Sequence, residues 1–384
     1  MKNLLIPILL LMTPFAYSQT KTVGQIARLD PALDDLIDKN AQIEVLADGF
    51  QWSEGPAWIK KGGYLIFSDV KANTIYKWKE GEGISSFLKP SGYTGRGTYS
   101  NEPGSNGLTM SLDGQIIACE HGDRRVTIMP TEGGGKKTLA DNHQGKRFNS
   151  PNDVVQKSNG DVYFTDPPYG LPKQEKDPSR ETGIYGVYRI GKNGSITLLI
   201  NDLTRPNGLA FSPDESILYV AQSDPDRAYI MAYPVLKSGI VGKGKIFFDA
   251  TPMVKQGLQG LPDGLRIDYK GNVFTTGPGG VLILSPKGKL LGRIETGQPT
   301  ANCGWGDDGS TLYITANMLL CRVKQRRNQL FLDRICKQQQ MTLILCVKLS
   351  TRQKRLMMQV KCLSARSLCA MGVSLLGVSI KRNV

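Results

Sequence analysis

Five oxygen-bearing side chains recur at one register of this chain: Glu54 in Ser-Glu-Gly-Pro, Asn106 in Ser-Asn-Gly-Leu, Asn152 in Pro-Asn-Asp-Val, Asn207 in Pro-Asn-Gly-Leu and Asp263 in Pro-Asp-Gly-Leu. A sixth repeat carries Ala301 in that register, and the first five members lie 46 to 56 residues apart. Carboxylates and amide oxygens sent to one point from separate repeats suit a hard cation, Ca²⁺, Mg²⁺ or Mn²⁺, far better than zinc. The only histidines are His121 and His143, and neither His-x-Glu nor Cys-x-x-Cys spacing occurs. A cation held by few protein charges polarises a carbonyl and stabilises a tetrahedral oxyanion, while a carboxylate beside it takes the proton of an attacking water. Gly-x-Ser-x-Gly, Walker A and the Rossmann fingerprint are all absent, which leaves metal-assisted hydrolysis of an ester-like bond as the natural class.

What must position these side chains is legible in the residues that follow them. Seven or eight residues after each comes a turn: Lys61-Gly62, Asp113-Gly114, Asn159-Gly160, Asp214-Glu215, Lys270-Gly271 and Asp308-Gly309. An alternating strand then begins, at Tyr64, Gln115, Asp161, Ile217, Asn272 and Thr311. Asn-Gly and Asp-Gly also make ordinary turns, but a second turn signal this close puts the first set at strand starts. The repeat predicts an all-β protein: a six-bladed β-propeller over residues 42–324, each blade four antiparallel strands. The early segment Ile43–Phe50 can complete the last blade and close the ring, leaving no long exposed sheet edge. In such a blade the start of the innermost strand and the end of the next share a face. That places the five residues at one mouth of the central tunnel, joined by Asp69, His121, Asp166 to Tyr169, Ser223 to Asp226 and Gly277 to Gly280.

The ends of the chain read differently. Residues 1–18 carry Lys2, a short apolar run and a small-residue exit at Ala16-Tyr17-Ser18, the pattern of a secretory signal peptide, too short for a membrane span. Periplasmic or secreted localisation follows. Residues 19–41 form a polar lead-in with one short helix expected around residues 31–38. From Cys321 onward 14 Lys or Arg face the single acid Asp333, so +13 of the net +14 lies in the last 64 residues. The body is nearly neutral, which argues against a nucleic-acid partner gripped through phosphates. The segment 325–384 is basic and Cys-rich and lacks the repeat rhythm. It reads as an added module, a membrane-surface helix or a non-native continuation, and its charge and cysteines favour the last. Cys119 and Cys303 are expected to be buried and unpaired.

The motifs Ser53-Glu54-Gly55-Pro56, Ser150-Pro151-Asn152-Asp153-Val154, Phe164-Thr165-Asp166-Pro167-Pro168-Tyr169-Gly170, Arg205-Pro206-Asn207-Gly208 and Leu261-Pro262-Asp263-Gly264, in this order, resemble the gluconolactonase, senescence marker protein and luciferin-regenerating enzyme family. The resemblance covers roughly residues 42–324. It implies a catalytic divalent cation, usually Ca²⁺ but open to Mg²⁺, Mn²⁺ or Zn²⁺, held by Glu54, Asn152, Asn207 and Asp263, with Asp263 as general base. Strand alternation turns Asp153 away from Asn152. Asn106, His121, Arg147 and Tyr169 are the candidates for substrate contact, Arg147 lying two residues further from the Asn-Asp pair than in the relatives. The implied reaction opens a sugar lactone such as glucono-1,5-lactone to its aldonic acid. The same site could serve other lactones or organophosphate esters, and a non-catalytic propeller that keeps a structural metal is the alternative from another class.

Overall fold

The structure is a computed structural model that describes residues 21–306 and 309–325. The expected signal peptide, Asp308 of the sixth turn, and all of the basic segment beyond Gln325 lie outside the described residues.

Short alternating strands fold into six antiparallel sheets of four or five strands among the described residues, besides a two-stranded hairpin, with inner strands Ser53–Ile59, Ser105–Met110, Val154–Gln156, Pro206–Phe211, Leu265–Ile267 and Asn302–Gly306. Each inner strand pairs with the one that follows it, beginning at Tyr64, Ile116, Val162, Ile217, Val273 and Thr311, within a residue of the sequence expectation. The inner strands pack against one another around the ring, the sixth against the first. Closure is made by Ile43–Asp48, which pairs with Leu319–Lys324 in register Cys321↔Val45 and Arg322↔Glu44. The Arg322 Nε to Glu44 Oε2 contact, 2.6 Å long, crosses that seam.

The lead-in does more than expected. Thr22–Val23 adds an outer strand to the sixth sheet and Gln25–Arg28 one to the fifth, so both have five strands instead of four. The short helix is a 3-10 turn, Pro31–Asp35, capped by Asp30 and pinned by Leu33, which is fully buried between those two blades. Sheet faces bury their apolar stripes against the next blade. Between the third and fourth blades, Tyr163, Leu209, Phe211 and Tyr233 form one such cluster, and each large side chain removed from water contributes about 2–3 kcal/mol. Cys119 and Cys303 are buried and unpaired as expected, and Cys321, counted above with the basic segment, is a buried residue of the last blade. No helix among the described residues is long and apolar enough to cross a membrane.

Candidate active site

Five of the motif residues do converge. Glu54, Asn106, Asn152, Asn207 and Asp263 line one cavity of about 540 Å³ at the tunnel mouth. The feature that aims three of them is a β-bulge. Pairing in the first, second and fourth blades slips between Glu54 and Ala57, Ser105 and Leu108, and Pro206 and Leu209, and a bulge redirects the side chains it carries. The glycine after the motif residue has its own reason. A Cβ on Gly107 would stand 2.5 Å from Asp153 Oδ1, and one on Gly208 would stand 2.3 Å from Asp263 O. Adjacent inner strands touch backbone to backbone here, and Gly107 N–H donates to Asn152 O at 2.7 Å. These glycines therefore serve close approach between strands and are not turn residues.

A directional chain of amides links the mouth. Asn106 Nδ2 donates to Asn152 Oδ1 (3.0 Å), Asn152 Nδ2 to Asn207 Oδ1 (2.5 Å) and Asn207 Nδ2 to Ser223 Oγ (2.9 Å). Ser223 Oγ donates onward to Pro262 O. The buried Asn106 Oδ1 is left without a donor, a cost that a ligand or cation at this point removes. His121 does not reach the cavity: its Nε2 lies 3.1 Å from Asn152 Oδ1. Burial holds the imidazole down to about 4, so it is neutral and orients the amide from behind.

Electrostatics mark the pair at the centre. Glu54 is 2 % exposed. Burial, and then the charge of Asp153, push its carboxyl well above the usual range. Burial and the Glu54 charge do the same to Asp263. Asp153 is buried and does not line the cavity, in keeping with strand alternation, yet Glu54 still feels it. Arg266 Nη1 stands 3.8 Å from Asp153 Oδ2, and the Asn302 amide offsets part of the rise of both Glu54 and Asp153. Two buried acids that repel each other, three amides and no thiolate fit a hard divalent cation. Among the described residues no cluster of three His, Cys, Asp or Glu forms a metal site by itself, so amide oxygens would have to complete the set.

The walls are of two kinds. Trp52, Pro225, Val254, Leu258 and Leu261 make an apolar side, while Glu102, Tyr169 and Arg205 make a polar rim. Tyr169 thus lies where a substrate contact was expected. Arg147 does not. It is an exposed residue of the two-residue strand Lys146–Arg147 and lines a separate cavity of about 480 Å³ with Tyr93 and Asp123. Its Nη2 donates to Asp123 O at 3.1 Å, so the structure removes it from the mouth. Asp69 and Asp166 are also committed elsewhere, Asp69 accepting the N–H groups of Gln51 and Trp52, and Asp166 those of Asn149 and Ser150. Sequence reasoning missed Glu102, Arg205 and Asn302. Asn302 follows Ala301 by one position; Ala301 keeps the repeat register, its N–H donating to Thr315 O as those of Asn152 and Asp263 donate to Thr165 O and Thr276 O.

Comparison with known proteins agrees with this geometry. The family described as "SMP-30/Gluconolactonase/LRE-like region" matches residues 52–318. A gluconolactonase of Zymomonas mobilis is 42 % identical over 317 residues, 79 % of this chain and 87 % of that protein. The solved structure of a gluconolactonase from Xanthomonas campestris superposes with a TM-score of 0.70 at 29 % identity, covering 80 % of this chain and 98 % of that one. A calcium-binding regucalcin from Agrobacterium tumefaciens shares the fold, with a TM-score of 0.58 at 21 % identity over 73 % of this chain and 94 % of that one. With the family matched across the ring and the motif residues gathered at its mouth, the chain belongs to the SMP-30/gluconolactonase/LRE-like family.

Proposed function

We infer that this chain hydrolyses a sugar lactone, glucono-1,5-lactone or a close aldonolactone, to the free hydroxy acid. The observation that carries the reading is the repelling pair Glu54 and Asp263, set with three amide oxygens on the floor of a cavity large enough for a hexose lactone. Glu54, Asn152, Asn207 and Asp263 would hold a divalent cation, calcium by the hardness and number of the donors. When bound, that cation supplies Lewis-acid polarisation of the lactone carbonyl.

The chain's own residues do the rest. Asp263 is the base that takes a proton from the attacking water. Asn106, with its free carbonyl oxygen, and Tyr169 contact the sugar hydroxyls. His121 fixes the orientation of the Asn152 amide through the contact of its Nε2 with Oδ1. Trp52, Leu258 and Leu261 offer an apolar wall to the C–H face of the ring and exclude water from it. That wall also favours a second reading at the same site, a lactone with a less polar ring substituent. With residues 1–18 taken as an export signal, the substrate is met in the periplasm or outside the cell.

The test is acid release from glucono-1,5-lactone in a pH-stat, using the full chain stripped by chelator and then resupplied with Ca²⁺. Turnover that disappears with chelator, returns with Ca²⁺, and falls at least ~100-fold in Asp263→Ala while the melting curve stays cooperative supports the reading. Full Ca²⁺ occupancy without hydrolysis of any lactone would make the protein a binding module instead.

A further inference from the structure

Lactone opening has a second proton to move. After water adds to the carbonyl carbon, the tetrahedral centre collapses, the bond from that carbon to the ring oxygen breaks, and its electron pair goes to the oxygen. An aldonolactone leaves as an alkoxide, a poor leaving group unless it is protonated as it departs. Asp263 is occupied with the proton of the water, and the amides on the floor have no acidic proton to give. We propose that Glu102 is the acid that protonates the ring oxygen of the departing hydroxyl, an assignment that rests on the lactonase reading above.

Three features of the structure carry it. Glu102 lines the same cavity as Glu54, Asp263 and Tyr169 but stands on the rim, on the long connection between Gly83–Leu88 and Ser105–Met110. That connection is pinned in place. Asn73 Oδ1 accepts the N–H groups of Ser91, Gly92 and Tyr93, and the N–H groups of His121 and Gly122 donate to Gly104 O and Pro103 O. The carboxyl is 24 % exposed and forms no hydrogen bond or close ion pair with Lys or Arg among the described residues; the neutral His121 holds its Nδ1 3.8 Å from Oε2. A carboxyl with so few partners is free to donate.

The groups facing it set its protonation. Burial raises the Glu102 carboxyl to about 7, against a smaller opposing pull from Lys71. Glu54, Asp263 and Tyr169 share the cavity with it, as does Arg205, which is paired with Glu175 at 3.0 Å. Near neutrality a large fraction of Glu102 therefore carries a proton, which suits a general acid working at that pH. The proton count closes. Glu102 loses its proton to the ring oxygen and Asp263 gains one from water. The proton on Asp263 then returns to Glu102 through solvent, and the new carboxylic acid ionises.

The experiment compares leaving groups. Glu102→Gln and the unmodified full chain, both saturated with Ca²⁺, are assayed on glucono-1,5-lactone and on dihydrocoumarin, with spontaneous hydrolysis subtracted. The ring oxygen of dihydrocoumarin leaves as a phenolate, whose conjugate acid ionises near about 10, and needs no donated proton. The expected result is a loss of ~100-fold or more on the aldonolactone, the range of general acid catalysis, against a several-fold loss at most on dihydrocoumarin. The ratio of the two is independent of how much of the variant is folded. The unmodified protein should also lose aldonolactone turnover as pH rises through the Glu102 pKa, a limb absent from the variant. Equal losses on both substrates, or aldonolactone activity within about threefold of the unmodified protein, would overturn the assignment while leaving the lactonase reading intact. If dihydrocoumarin is not a substrate, persistence of the alkaline limb in Glu102→Gln overturns it and disappearance supports it. An unmodified protein inactive on both lactones overturns the lactonase reading and this assignment together.

Discussion

Replacing Glu54 with Gln should act in opposite directions with and without a cation. The folded pKa of Glu54 lies above its ordinary value of 4.5 because burial and neighbouring carboxylates penalise the charge. Such a group leaves the fold unpenalised below the unfolded pKa, weakens it as pH rises through the folded pKa, and keeps it weakened above. Each unit of the shift costs about 1.4 kcal/mol, so a two-unit shift costs ~2.7 kcal/mol, or roughly 5 °C in melting temperature for a chain of this size. Glutamine keeps the shape and can still accept the Gly55 N–H that now reaches Oε2 at 3.1 Å. In chelator at alkaline pH the variant should therefore melt ~5 °C above the unmodified protein, with the gap closing toward acid pH. In Ca²⁺ at about 1,000 times its Kd the order should reverse, because such a ligand stabilises the unmodified protein by about 4.1 kcal/mol, more than the ~2.7 kcal/mol gap, and the variant lacks one of the two charges that bind it. Differential scanning calorimetry in the two buffers, at two pH values each, reads all four points. A variant that melts below the unmodified protein in chelator at alkaline pH would show that the charge of Glu54 is not penalised in the empty fold, and the cation site would lose its physical basis.

Three further variants test the geometry. Gly208→Ala forces a methyl to within 2.3 Å of the Asp263 carbonyl oxygen, so it should cost ~1–3 kcal/mol or more in urea unfolding and displace Asp263 enough to lower turnover. Arg147→Ala should leave kcat/KM for the aldonolactone within about twofold, as surface changes away from a site generally do, whereas Arg205→Ala, on the rim of the cavity, should raise KM.

The ring was legible because its signal repeats. Period-two alternation behind a turn recurs six times, five of the turns carrying Gly, and errors at one blade do not propagate to the next. The floor of the site was legible for the same reason: Glu54, Asn106, Asn152, Asn207 and Asp263 are borne by equivalent positions of equivalent strands. What escaped notice lacks a repeat. Thr22–Val23 and Gln25–Arg28 are two- and four-residue strands of mixed polarity, held by an edge that only the folded ring presents. Glu102 stands in a connection with no periodicity. Arg147 looked plausible by distance along the chain, yet the residue that turns inward there is Phe148, fully buried, and its neighbour is thrown outward. Asn302 was hidden because it stands one position past the register of Asn152 and Asp263, at the place that Asp153 and Gly264 hold in their own blades.

The division between strand-borne and loop-borne groups has a physical meaning. Two like charges on flexible loops relax apart, or draw in water, and their repulsion fades. Glu54 and Asp263 cannot do this, since Glu54 is fixed to a paired strand and Asp263 N–H is tied to Thr276 O, with Gly264 N–H tied across to Ala301 O. Moving one carboxyl would mean breaking pairing in two adjacent blades. The repulsion is therefore retained in the fold and is relieved only by a proton or a cation, so the two compete for the same oxygens. The rim follows the opposite logic: Glu102, Arg205 and the apolar wall of Val254, Leu258 and Leu261 stand outside the sheet pairing. They can change in length and chemistry without disturbing the ring. Choice among lactones is accordingly a property of the loops, while the fixed charges of the floor belong to the strands.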